Sequence, residues 1–215
     1  MKLTLLYIAL HCFTLHAYNI KNDVDKFGLT NIYTKLVNDR GNGFPGLKGT
    51  RNFRAVLSNT MYRGGKLNPA GNQNPMTEEG LINLCKAGFT TVVYLYSINF
   101  NSAPTHIDCK TNRLEYKQIT FTQTRKLLEL VYSNIKTGNY SYLHCHNGYH
   151  ASGRISALAL RQFCDLSGTD AVAYWIKNTD GTDNGDYESH KTYIRNFVPY
   201  SDLNLTLEEK EGVCF

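Results

Sequence analysis

The stretch from Tyr142 to Arg154 constrains this chain more than any other. Tyr142 to His144 is a short apolar strand, Cys145 to His150 is a polar loop with a glycine in it, and a helix starts near Ala151. The helix continues through Ile155, Leu158, Leu160 and Phe163 at helical spacing. A cysteine at the end of a strand, facing a glycine-containing loop that opens a helix, is a site for an anion. Successive backbone N–H groups in such a loop turn inward as a nest, and the helix N-terminus adds a positive partial charge. The same field favours a thiolate, so Cys145 is a candidate nucleophile.

The elements around this stretch alternate. Asn52 to Ser58 reads as a strand. Thr77 caps a helix with Glu78 and Glu79 in its first turn, an apolar face of Leu81, Leu84 and Cys85, and Gly88 at its end. Phe89 to Tyr96 is β-branched and aromatic and reads as a buried strand; Leu114 to Thr120 is another, with residues 97–114 as the loop between them. Leu127, Leu128, Val131 and Ile135 mark a helix before the Cys145 strand. After it, Thr169 and Asp170 cap a helix holding Trp175, and a solvated turn at 180–186 starts a helix over Tyr187–Phe197. That turn has the composition of a calcium loop, but Thr182 and Lys191 stand where an EF-hand needs ligands. The order predicts an α/β fold: a central mixed sheet flanked by helices in a single domain.

Charged residues are 19% and apolar ones 42% of the chain, which excludes a disordered chain. The formal net charge of +5 carries no run of Lys or Arg. It is ordinary surface variation or a mild bias toward an anionic ligand, and it does not point to nucleic acid.

Residues 1–17 read as a secretory signal peptide, with a basic start at Lys2, an apolar stretch from Leu3 to Leu15, and small Ala17 at the end. The expected product is exported (periplasmic or secreted), with no stable membrane insertion once the signal is removed; an uncleaved anchor is the alternative. Cys12 leaves with the signal, so five cysteines remain and at least one is unpaired in an oxidising compartment. Two disulfides among Cys85, Cys109, Cys164 and Cys214, with Cys145 free, is the simplest arrangement. Connectivity cannot be read from sequence; Cys85–Cys109 with Cys164–Cys214 is the expectation carried forward, against several simply buried thiols.

His144, Cys145, Gly148 and Ser152 resemble, in register, the signature loop of the cysteine-dependent protein tyrosine and dual-specificity phosphatases. Met61 to Lys66 is similar to the opening strand of the dual-specificity group, and would place Arg63 at the edge of the sheet. The resemblance covers roughly residues 60–198. It implies a phosphatase-like fold, Cys145 as nucleophile, Ser152 as the hydroxyl that helps the thiolate leave, and His144 orienting the loop from behind. It also implies an anion cradle of His146, Asn147, Gly148, Tyr149, His150, Ala151 and Gly153.

Two parts of the family's pattern are absent. Ala151 stands where the family has the arginine that clamps the transferring phosphoryl group. Losing such a group removes about 2.7–4 kcal/mol of transition-state stabilisation if it counts like one oxyanion donor. No aspartate stands in the acid-loop position, where Ile119 to Arg125 runs straight into a helix; Asp108, Glu115, Asp180, Asp183 and Asp186 are the carboxylates that a displaced acid could use. Arg154, one turn beyond Ala151, leans toward the helix N-terminus and is a candidate replacement cation. His150, when protonated, is another.

Three functions follow. The first is an exported phosphatase acting on phosphorylated or related anionic substrates. The second is a pseudophosphatase that binds a phosphorylated or acidic ligand without turnover. The third is redox or metal chemistry at Cys145 with His144, His146 and His150, although the two strand-end histidines should diverge. No cofactor and no resident metal is expected. The division is 1–17 signal peptide, 18–60 amino-terminal extension, 61–198 phosphatase-like domain and 199–215 carboxy-terminal tail.

Overall fold

The computed structural model describes residues 27–36, 45–69, 71, 74–110, 112–182 and 187–215. The expected signal peptide, much of the expected extension, and Asp183 and Asp186 lie outside the described residues. Among the described residues six strands form, β1 (Thr50–Leu57), β2 (Met61–Lys66), β3 (Thr91–Tyr94), β4 (His106–Cys109), β5 (Asn112–Gln118) and β6 (Ser141–His144). They make one sheet in the order β1-β2-β6-β3-β5-β4. The four central strands are parallel, and β1 and β4 close the two edges antiparallel. This is the expected α/β architecture with a central mixed sheet.

Among the described residues the helices that flank it are α1 (Glu78–Lys86), α2 (Thr124–Thr137), α3 (His150–Phe163), α4 (Gly168–Lys177), α5 (Glu188–Asn196) and α6 (Leu207–Val213). Alternate strand residues bury opposite faces, as a pleated strand requires. On one face Phe53, Tyr62, Phe89 and Tyr142 pack with Leu81 and Leu84 of α1. On the other, Val56, Val93 and Leu143 pack with Leu127 and Val131 of α2 and Ile155 and Leu158 of α3. Burial on both faces explains why Val92, Val93 and Tyr94 read as one apolar run.

Four expectations are corrected. β2 is not an edge strand, because β1 pairs outside it; Arg63 is fully buried and donates to the carbonyls of Asn178 at 3.0 Å and Tyr149 at 3.4 Å. Residues 97–114 are not a single loop. They hold a 3-10 turn at Phe100–Ser102 and strand β4, which buries only Ile107 and so leaves no periodic signal. The cap of α4 is Ser167, not Thr169 or Asp170: its hydroxyl accepts from the Asp170 N–H at 3.1 Å, and the helix begins at Gly168. Residues 199–215 include α6, started by a capping box between Thr206 and Glu209, with Leu203, Leu205 and Val213 buried.

Both expected disulfides are present. Cys85–Cys109 ties α1 to β4, Cys164–Cys214 ties the end of α3 to the end of α6, and Cys145 is free. Among the described residues no helix is long and apolar enough to cross a membrane.

Candidate anion site at the Cys145 loop

His144 pairs with Gly64 of β2 on one side and Tyr94 of β3 on the other, so Cys145 emerges just past the carboxyl ends of the parallel strands. That crevice is where open α/β sheets take ligands. The chain then turns into α3, whose N-cap, Tyr149, makes no side-chain cap hydrogen bond. The first-turn N–H groups of α3 are therefore not used up by a capping oxygen.

The orientation of the loop is imposed from outside it, one peptide at a time. The His144 Nδ1 contacts the Cys145 carbonyl at 3.1 Å. The Lys66 N–H donates to the His146 carbonyl at 2.9 Å, and the Asn52 side-chain amide to the Asn147 carbonyl at 2.6 Å. Arg63 donates to the Tyr149 carbonyl at 3.4 Å, and the Trp175 indole to the His150 carbonyl at 3.1 Å. In a trans peptide the C=O and the following N–H point opposite ways, and the described chain contains no cis bond. With those carbonyls held by their partners, the N–H groups of His146, Asn147, Gly148, His150 and Ala151 face the opposite way from them, and that of Gly148 meets Cys145 Sγ. A nest of this kind binds an anion.

The sulfur sits inside that nest. The Gly148 N–H donates to Cys145 Sγ at 3.3 Å, and the Ser152 hydroxyl lies 3.4 Å from it. Both contacts stabilise negative charge on sulfur. Gly148 has to be glycine: its φ is +83°, and a Cβ there would come within 2.6 Å of the Gly65 nitrogen. Gly153 is closed off in the same way, since its Cβ would meet the Arg63 guanidinium at 2.6 Å.

His144 is locked in one state. Burial pushes its pKa down to about 3, so the ring is neutral. The Cys145 carbonyl can only accept, which places the ring proton on Nδ1 and leaves Nε2 to accept from the Tyr116 hydroxyl at 3.0 Å. Tyr116 is free to donate because its oxygen already accepts from the Met76 N–H at 3.0 Å, and burial raises its pKa and keeps it protonated.

Aromatic rings pack against the side chains of the loop and of the first turn of α3. His146 stacks on Tyr96 at 4.5 Å, and burial, then Lys66 and Arg51, lower its pKa to about 4. His150 stacks on Tyr187 at 3.7 Å and contacts Thr182 at 3.2 Å. The Arg154 guanidinium lies over the Tyr193 ring at 3.8 Å and the Phe121 ring at 5.3 Å, half-buried, with burial lowering its pKa. Its charge also helps to lower the His190 pKa. Ala151 is buried.

The three histidines do not converge: one is behind the loop, one on Tyr96, one against Tyr187. Among the described residues no group of His, Cys, Asp and Glu is placed to hold a metal. Of the candidate acids, Asp108 is on the edge strand β4 facing Arg113, and Glu115 pairs with Thr91 at the far end of the parallel strands. Asp180 bridges Arg54 and Lys35, 2.9 and 2.7 Å away. None of the three faces the sulfur.

Sequence reasoning missed Asn52, Tyr116 and Trp175 as partners of the loop. Asn52 and Tyr116 are polar groups fully buried in strands, a signal in itself, since such groups need partners. An open groove of about 650 Å³ runs along α5, lined by Tyr193, Phe197 and Val198 among others, and its lining does not include the Cys145 loop.

No family model matches the chain, and no curated protein matches it in sequence. Among solved structures it is similar to the core catalytic domain of the PP-IP phosphatase SIW14 from S. cerevisiae, at 13% identity and a TM-score of 0.48, over 69% of this chain and 86% of that one. It is also similar to Tk-PTP in its active form, at 14% identity and TM-score 0.46, over 65% of this chain and 93% of that one. A third is PTPMT1, at 12% identity and TM-score 0.43, over 66% of this chain and 95% of that one. At such identities and TM-scores these are likenesses of overall shape and carry nothing about chemistry. In shape, the chain is similar to structures of protein tyrosine phosphatase type.

Proposed function

We propose that this is an exported, phosphatase-like protein whose Cys145 loop binds the phosphoryl group of a phosphate monoester and attacks it. The observation that carries the reading is the capture of the loop carbonyls at Cys145, His146, Asn147, Tyr149 and His150 by groups around the loop, with the Gly148 N–H donating to Cys145 Sγ. The Cys145 thiolate forms a bond to phosphorus as the ester P–O bond breaks. Water then displaces the thiolate, releasing inorganic phosphate, while Ser152 and the Gly148 N–H stabilise the departing sulfur. Arg154 supplies a cation in place of the loop arginine. With no carboxylate of Asp108, Glu115 or Asp180 at the sulfur, leaving groups that need little protonation, such as phenols, are favoured. The two disulfides support an oxidising, extracytoplasmic setting.

A second reading, binding of a phosphorylated or acidic ligand without turnover, is supported by Ala151 and by the placement of those carboxylates. Both readings need the same nest. The divergence of the histidines disfavours a shared Cys/His metal centre.

The deciding experiment is phosphate release from an aryl phosphate and a phosphotyrosine peptide, comparing wild type, Cys145→Ser, Arg154→Ala and Ala151→Arg. Turnover abolished by Cys145→Ser and weakened by Arg154→Ala supports the enzyme. Saturable phosphate binding with no turnover in wild type supports the binding module. Folded protein that neither binds nor turns over, even as Ala151→Arg, overturns both.

A further inference from the structure

One donor to the loop comes from a place where strand regularity breaks. Asn52 lies within β1, yet its φ is +49°, in the left-handed region that non-glycine residues seldom occupy. The ladder with β2 shifts there: Arg51 pairs with Gly65 and Arg54 with Arg63, so Asn52 and Phe53 together oppose Gly64 as a bulge. Phe53 keeps its place in the core, stacked on Tyr142 at 5.5 Å. The bulge lets Asn52, fully buried, reach across to the Asn147 carbonyl at 2.6 Å.

The carbonyl of Asn147 and the N–H of Gly148 belong to one peptide unit. That N–H is the one that meets Cys145 Sγ at 3.3 Å. Gly148, with its positive φ and no Cβ, is also where the loop peptide flips most readily. A flip would turn an acceptor toward the sulfur where a donor now stands, and an anion would be repelled.

We propose that Asn52 is a positioning residue of the anion site. Its side-chain amide latches the Asn147–Gly148 peptide so that the Gly148 N–H faces Cys145 Sγ and the anion held above it. This rests on the anion-site reading given above.

The test uses Asn52→Gly, which accepts the left-handed backbone and removes only the side chain, and Asn52→Asp, which keeps the shape but replaces the donor with an acceptor. Inorganic phosphate binding is measured by calorimetry, folding by urea titration, and the Gly148 amide by its NMR resonance. The expected result is a folded Asn52→Gly protein with its Gly148 resonance displaced and phosphate affinity at least tenfold weaker, and a similar loss in Asn52→Asp. Wild-type affinity and an unmoved Gly148 resonance in either folded variant overturn the proposal while leaving the anion site standing. Failure of the wild type to bind phosphate overturns the anion-site reading and the proposal with it.

Discussion

Replacing His144 by Asn removes a buried titrating ring while keeping an amide that can donate to the Cys145 carbonyl. In the native protein the His144 pKa is pushed down to about 3 by burial, with lesser contributions from Lys66 and His146; in the unfolded chain it is about 6.5. Above pH 6.5 the ring is neutral in both states and the native fold has its full stability. As the pH falls below 6.5 the unfolded chain takes up a proton that the native protein refuses, so stability declines by about 1.4 kcal/mol per pH unit. Between pH 7.5 and 4.5 the loss due to His144 alone is about 2.7 kcal/mol, and it continues until the pH approaches the native value. His146 and His190, each lowered to about 4 by burial, add to the decline, but they do so in wild type and variant alike. The assay is urea unfolding at intervals from pH 7.5 to 4.5, with disulfides intact, for wild type and His144→Asn. Whatever the substitution itself costs is a constant offset; the slope difference belongs to His144. Equal slopes in the two proteins would refute both the neutral ring and the Tyr116–His144–Cys145 chain built on it.

Gly148→Ala is expected to lose about 2–5 kcal/mol, combining left-handed strain with overpacking against Gly65; urea titration reads the loss, and a variant as stable as wild type would show that the loop does not close as described. Removing the Cys164–Cys214 bridge, with a sequence separation of 50, is expected to cost about 4.1 kcal/mol, against about 3.4 kcal/mol for Cys85–Cys109 at a separation of 24. Paired Cys→Ala variants test that order by thermal or urea unfolding.

What was legible in the sequence was local. Cys145 at a strand end, Gly148 three residues on, and the apolar spacing of Ile155, Leu158 and Phe163 describe a loop and a helix whose geometry is decided within a few residues. Thr77 before two glutamates caps its own helix for the same reason. The Thr206–Glu209 box is equally local. Arg154 shows the limit: helical spacing aimed it back toward the loop, but its guanidinium packs on the rings of Tyr193 and Phe121, from other elements.

What only the tertiary structure decided is which way the loop's peptides face. No residue of the loop determines that by itself, because a glycine-containing turn accepts its carbonyls inward or outward at little cost. The choice is made by Asn52 and Arg63, far earlier in the chain, and by Trp175, after it. Their donors arrive only because β1 pairs outside β2 and α4 packs on α3. Hydrogen bonds between groups so distant in sequence follow no spacing rule, so the residue types announce an anion site and the packing decides whether its donors point at the sulfur.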